Sequence, residues 1–190
     1  MHSFTTERLL IRPIQAQDQA LYISLYTDAK IMRHISAPLS LQAAEKAFNS
    51  TLNVMNKVIS SAVNKAESNK KAKVMTWVIV TLDNQQSIGI QALHWQTDNC
   101  AEIGIMLLRQ SNGRLLPEEA IGSVLEYGLH HLHLKQIKAC YAKKNLATAR
   151  VAKKAGFTFY ASNQTDDERS KTDTVYSHSW HRQYIKTIIG

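Results

Sequence analysis

The stretch Gln110-Ser111-Asn112-Gly113-Arg114-Leu115 has the makings of an anion-binding loop. It lies between an apolar strand pattern, Glu102 to Leu108, and a helix pattern that opens at Pro117. The first turn of a helix carries unpaired backbone N–H groups and partial positive charge. A loop entering that turn can wrap those groups around a phosphate. Gly113 would let the main chain approach, and Arg114 adds charge. Many strand–turn–helix junctions bind nothing, so the loop alone does not decide a function. Pro117 also removes one N–H from the helix start. Glu118 and Glu119 suit the helix dipole, yet would repel a phosphate if they faced it.

Other reactive residue types point less sharply. His130, His131 and His133 cluster without a nearby carboxylate at a helix C-terminus, where interaction with the dipole and solvent is expected and a metal site is not. Cys100 and Cys140 lie far apart, each in an apolar, strand-like stretch, which predicts two buried, reduced thiols. Trp77, Trp95 and Trp180 fall in strand patterns and read as core or cleft lining. Lys and Arg number 23 against 15 Asp and Glu, a net charge of +8. Such a surface favours anionic partners, a phosphate-rich cofactor or RNA, and equally serves solubility. The densest basic run, Lys65, Lys70, Lys71 and Lys73, lacks the interleaved aromatics of a single-strand binder, so nucleic acid is not the expected partner.

The elements that must position these residues can be read from periodicity. At 190 residues the chain suits one domain, spanning 1–190. Apolar content of 44% and charged content of 20% fit a globule. No apolar run reaches the ~20 residues of a membrane span. Met1 to Glu7 carry no apolar signal core, which leads to the expectation of a cytoplasmic protein. Thr6 to Pro13 reads as a strand and Ala16 to Tyr26 as a helix. Leu41 to Ala66 is the clearest helix, with apolar residues in steps of three and four and Ser40 as its N-cap. Strands are predicted at Val74–Leu82, Ile88–Trp95 and Glu102–Leu108, the last with both faces covered. A helix follows from Pro117 to His133, then a strand at Ile137–Tyr141 and a short helix at Ala147–Lys154. Gly156 fits the left-handed position past that helix. Phe157–Tyr160 and Thr174–Trp180 read as closing strands. The order implies an α/β layer with one mixed sheet, in which the strands at 102–108 and 137–141 could form a parallel crossover pair.

Six strings, in order and in spacing, resemble the GNAT superfamily of N-acetyltransferases. They are Thr6-Glu7-Arg8-Leu9-Leu10-Ile11-Arg12-Pro13, Ala101-Glu102-Ile103-Gly104-Ile105, Gln110 with Gly113, Asn145-Leu146-Ala147-Thr148-Ala149-Arg150, Lys154-Ala155-Gly156-Phe157 and Val175-Tyr176-Ser177. The likeness covers roughly Thr5 to Tyr184, and its nearest branch includes the ribosomal-protein alanine N-acetyltransferases. It implies the GNAT fold, a splayed mixed sheet with helices on both faces. Acetyl-CoA, the co-substrate, would lie between the two parting strands. Backbone groups of Met106, Leu107 and Leu108 would pair with its pantetheine arm. Gln110, Ser111, Asn112, Gly113, Arg114 and Leu115 would hold the diphosphate, and Asn145 would contact the cofactor from the far side. The chain departs from the family loop at Leu115, where a Gly or Ala is usual; a leucine restricts the backbone and crowds a phosphate.

The implied reaction moves an acetyl group directly to a primary amine, either a protein N-terminal α-amine or a small molecule. An α-amine titrates near ~7.8 and a lysine near ~10.4, so deprotonating the latter costs about 3.5 kcal/mol more. A base is therefore more dispensable for an N-terminal amine. Glu102 is the first candidate base, acting through a water; a surface carboxylate at a strand end is the alternative. Thr148 matches a family serine thought to serve the departing thiolate, and could instead cap its own helix. Asp166, Asp167 and Glu168 form a reserve acidic patch. Monomer and homodimer remain equally open. Rival readings are a GNAT-fold module that binds CoA or a partner without catalysis, and a ribosome- or RNA-associated protein.

Overall fold

The structure, a computed structural model, describes residues 2–63, 74–158, 172–177 and 184–189. The basic run Lys65–Lys73, the acidic patch at 166–168 and Trp180 lie outside these residues.

Strand β1 (Ser3–Thr5) precedes β2 (Leu9–Pro13), so the predicted opening strand ends at Pro13 as read but has a separate partner ahead of it. Helices α1 (Gln19–Thr27), α2 (Ala29–Met32) and α3 (Leu41–Val63) follow. The short α2 was not predicted; Asp28 starts it by accepting hydrogen bonds from the N–H groups of Lys30 and Ile31. Ser40 caps α3 as expected, its hydroxyl accepting from Ala43 N–H at 3.2 Å. Next come β3 (Val74–Thr81), β4 (Ser87–Thr97) and β5 (Cys100–Leu107). Helix α4 (Leu116–Glu126) runs into a widened π turn, Tyr127–His131. Strand β6 (Gln136–Ala142), helix α5 (Leu146–Lys154), β7 (Thr172–Ser177) and β8 (Thr187–Ile189) complete the order. Thr158 makes only an isolated bridge, and the rest of the strand read at 157–160 lies outside the described residues. Gly156 takes φ +86, the left-handed value expected of it.

The eight strands form one sheet in the order β7-β6-β5-β4-β3-β2-β1-β8. All pairs are antiparallel except β5 with β6. Two apolar clusters sandwich its centre. Trp77 and Ile79 of β3 join the cluster with Val124 and Leu125 of α4. Val78 and Val80, alternating with them, join Tyr22, Leu25, Phe48 and Met55 of α1 and α3. A strand covered on both faces needs an apolar run rather than alternation, which is why β3 reads as one. Strand β8 was not predicted. Glu126 holds the segment leading to it, accepting from the N–H groups of Tyr184 and Ile185 at 2.7 and 3.0 Å.

Candidate active site

The two central strands share a ladder only over Cys100–Gln136, Ala101–Ile137 and Glu102–Lys138. Beyond it, β5 continues to Leu107 and β6 to Ala142 with no pairing between them. The strands therefore part, and a cavity of about 1040 Å³ opens where they do. This corrects the expectation that β5 is covered on both faces. Ala101, Ile103 and Leu107 are buried, while along the cavity Gly104 is exposed and Glu102, Ile105 and Met106 are half-buried. Gly89 of β4 permits tight pairing behind this wall: a Cβ there would sit 2.3 Å from the Met106 carbonyl oxygen.

The loop read as an anion site closes one end. Arg109–Ser111 form a single 3-10 turn, with Ser111 N–H donating to Leu108 O and Asn112 N–H to Arg109 O. Gly113 takes φ +90 and Leu115 φ +60, both left-handed, and α4 starts at Leu116. Among the described residues, the backbone N–H groups of Gly113, Arg114, Leu115, Leu116 and Glu118 meet no acceptor. These are the orphan donors of a helix start. The Leu115 side chain borders the cavity but is 54% exposed, so it turns largely to solvent and does not fill the loop. Its left-handed backbone is the costly feature, of order 1 kcal/mol for a residue with a Cβ.

The two glutamates of the first turn diverge. Glu119 points away from the loop, accepting from the Thr6 hydroxyl at 2.6 Å, Arg8 N–H at 2.9 Å and Arg8 Nε at 2.7 Å. Arg8, just ahead of β2, also donates to the Arg114 carbonyl at 2.8 Å, tying the start of that strand to the loop. Glu118 does border the cavity, but Lys154 Nζ of α5 stands 3.4 Å from it.

Of the residues singled out in the sequence, Glu102, Met106, Leu107, Asn112, Gly113, Leu115, Asn145 and Thr148 line the cavity. Leu108, Gln110, Ser111 and Arg114 do not. Leu108 spends its N–H on Ile88 O at 2.8 Å, and Ser111 is buried beneath the turn. Asn145 caps α5, its Oδ1 accepting from Thr148 N–H at 3.2 Å, which leaves its NH2 for other partners. That cap uses the Thr148 backbone N–H, and the Thr148 hydroxyl makes no hydrogen bond to a described residue.

Sequence reasoning missed the neighbours of Glu102. In register, His94 of β4, Glu102 of β5 and Lys138 of β6 stand side by side across the point where the strands part. Directly paired residues place their side chains on one face, ~5 Å apart. Lys138 Nζ is 3.2 Å from Glu102 Oε2. Burial opposes the charge on Lys138, but the bond to Glu102 and its field outweigh that and push the ammonium above its ordinary value. His94 gave no sequence signal, because one histidine in a strand is unremarkable until its register is known. The cavity is also lined by Gln91, whose buried amide has no partner on either atom among the described residues.

Both cysteines depart from the expected burial. Cys100 is half-buried and Cys140 exposed on β6, where the lost ladder leaves the strand open. Burial pushes the Cys100 thiol up despite the nearby Lys138. Trp77 is core and Trp95 half-buried. His130 and His131 fall in the π turn, with His131 stacked on Tyr127 at 5.5 Å, and His133 follows it with φ +54. Among the described residues, no helix is long and apolar enough to cross a membrane.

A family model described as "Acetyltransferase (GNAT) domain" matches residues 8–158. A relative from Bacillus subtilis (strain 168), "Uncharacterized N-acetyltransferase YnaD", is 27% identical over 157 residues, 82% of each chain. The structure of a spermidine N-acetyltransferase from Vibrio cholerae, in complex with CoA and spermine, superposes with TM-score 0.67 at 18% identity, covering 89% of this chain and 94% of that one. A ribosomal-protein-S5-alanine acetyltransferase from Vibrio fischeri gives TM-score 0.67 at 14% identity, covering 95% and 99%. At such identities the two structures speak to fold alone.

Proposed function

The chain belongs to the acetyltransferase (GNAT) family, and on that premise we propose that it moves the acetyl group of acetyl-CoA directly to a primary amine. The amine is a protein N-terminal α-amine or a small molecule, and the six sequence strings favour the ribosomal-protein alanine branch. The carrying observation is the parting of β5 and β6 after three paired residues, with a cavity between them and unpaired N–H groups at its end.

In this reading the diphosphate of acetyl-CoA sits on the N–H groups of Gly113 to Leu116, supported by the α4 dipole. Backbone groups on the unpaired edge of β5 bind the pantetheine arm and stabilise the developing oxyanion. The neutral amine attacks the thioester carbonyl, a C–N bond forms, and the C–S bond breaks. Glu102 takes the ammonium proton through a water, and the Thr148 hydroxyl donates to the departing thiolate. Lys138 holds the Glu102 carboxylate in place at 3.2 Å. An α-amine, which deprotonates more readily than a lysine, asks less of such a base. Tyr26, across the cavity, stays a neutral phenol, because burial, with Tyr22 adding to it, pushes its titration far up. We place the reaction in the cytoplasm, in a single domain acting as a monomer or homodimer.

Thermal shift with acetyl-CoA tests the reading. Ligand at about 100 Kd adds about 2.7 kcal/mol, which for a chain of this size is roughly 5–10 °C. No shift at saturation sinks the proposal. A shift without thiol release across an amine panel would instead favour a binding module.

A further inference from the structure

The cavity has a second wall that acetyl transfer does not use. Tyr22, Tyr26, Lys30, Arg33, His34 and Thr51 line it on the α1–α3 side. Those helices cover the sheet face opposite α4, so this wall is not the diphosphate end. Lys30 lies within α2 and Arg33 closes it, three residues apart and therefore on one helix face. His34 follows directly, and His94 adds a further basic group beside Glu102.

Among the described residues the wall is unbalanced in charge. Among the described residues, no carboxylate pairs with Lys30, Arg33, His34 or His94. Among the described residues, the carboxylates that line the cavity, Glu102 and Glu118, each face a lysine of their own, Lys138 and Lys154. Asp28, the acidic residue nearest in sequence, does not line the cavity and is committed to the N–H groups of Lys30 and Ile31.

A cleft lined by one sign of charge focuses its field and concentrates the opposite charge. It also disfavours a protonated amine, lowering the pKa of any acceptor that enters. A polycation would lose on both counts. We propose, resting on the acetyl-transfer reading above, that the acceptor is a primary amine that also carries a carboxylate or a phosphate. Arg33 and Lys30 hold the anionic group, Arg33 through the fork geometry that suits carboxylate and phosphate alike. The amine then points to Glu102, and the positive wall favours its neutral form.

The test is thiol release from acetyl-CoA with matched acceptors: a free amino acid against its amide, phosphoethanolamine against ethanolamine, peptides with and without an acidic second residue, and spermidine. At least one anion-bearing arm should exceed its neutral partner at least tenfold in kcat/KM, and the arm that does so identifies the source of the charge. That preference should shrink as salt is raised. Arg33→Glu, and separately Lys30→Glu, should reduce the preference at least tenfold while acetyl-CoA still raises the melting temperature. Arg33→Lys should retain part of it. Spermidine as the best acceptor, or a preference untouched by both reversals, overturns the inference while leaving the transferase reading intact. Absence of both an acetyl-CoA shift and thiol release in the parent protein would bring down both.

Discussion

Glu119→Gln tests whether the loop is braced from behind. The Glu119 side chain is 7% exposed and gathers four donors: the Thr6 hydroxyl at 2.6 Å, Arg8 N–H at 2.9 Å, Arg8 Nε at 2.7 Å and an Arg8 terminal nitrogen at 2.6 Å. A glutamine keeps one oxygen, enough for Thr6 and the Arg8 main chain. Its NH2 then faces the guanidinium, donor against donor. Hydrogen bonds to charged groups contribute about 1.5–3 kcal/mol. The Arg8 side chain is 44% exposed, so water takes up part of the loss. The expected cost is about 1.5–2 kcal/mol, or roughly 3–8 °C in melting temperature. Arg8 also donates to the Arg114 carbonyl at 2.8 Å, so the loop loosens with it. Acetyl-CoA affinity should fall several-fold, although Glu119 does not line the cavity. Differential scanning fluorimetry with and without acetyl-CoA reads both effects. Arg8→Met should reproduce them, and the double variant should lose little more than either single one. A Glu119→Gln protein melting within a degree of the parent, or full additivity with Arg8→Met, refutes the reasoning.

Gln91→Met removes a buried amide that has no partner among the described residues. It should raise the melting temperature by several degrees, since such an amide costs about 1–3 kcal/mol; a lowered value in calorimetry would mean an internal water satisfies the amide. Iodoacetamide at neutral pH should modify exposed Cys140 well before Cys100, whose thiol is half-buried and pushed up by burial, so its thiolate appears only at higher pH. Because Cys140 lines the cavity, acetyl-CoA should slow that labelling, read by intact-mass spectrometry. Gly89→Ala should destabilise strongly, because its Cβ would meet the Met106 carbonyl at 2.3 Å and that atom belongs to a paired strand. Urea unfolding with an unchanged midpoint would contradict this.

The sequence alone carried the architecture because local patterns do. Periodicity located α3, α4, α5 and the central strands, and Ser40 and Gly156 marked ends that depend only on near neighbours. The loop at 110–115 was legible as a helix start for the same reason. Elements without a strong local signature, the four-residue α2 and the three-residue strands β1 and β8, were missed or merged, because pairing and packing define them. What faces what was out of reach. Glu118 and Glu119 are adjacent, yet one meets Lys154 and the other Arg8. The exposure of Cys140 follows from the parting of β6 from β5, a long-range event with no local mark. The row of His94, Glu102 and Lys138 joins three strands by register, and the unbalanced wall of Lys30, Arg33 and His34 exists only once α2 is set over the sheet. Chain order fixes spacing along one dimension; charge balance in a cleft is decided by distances across it.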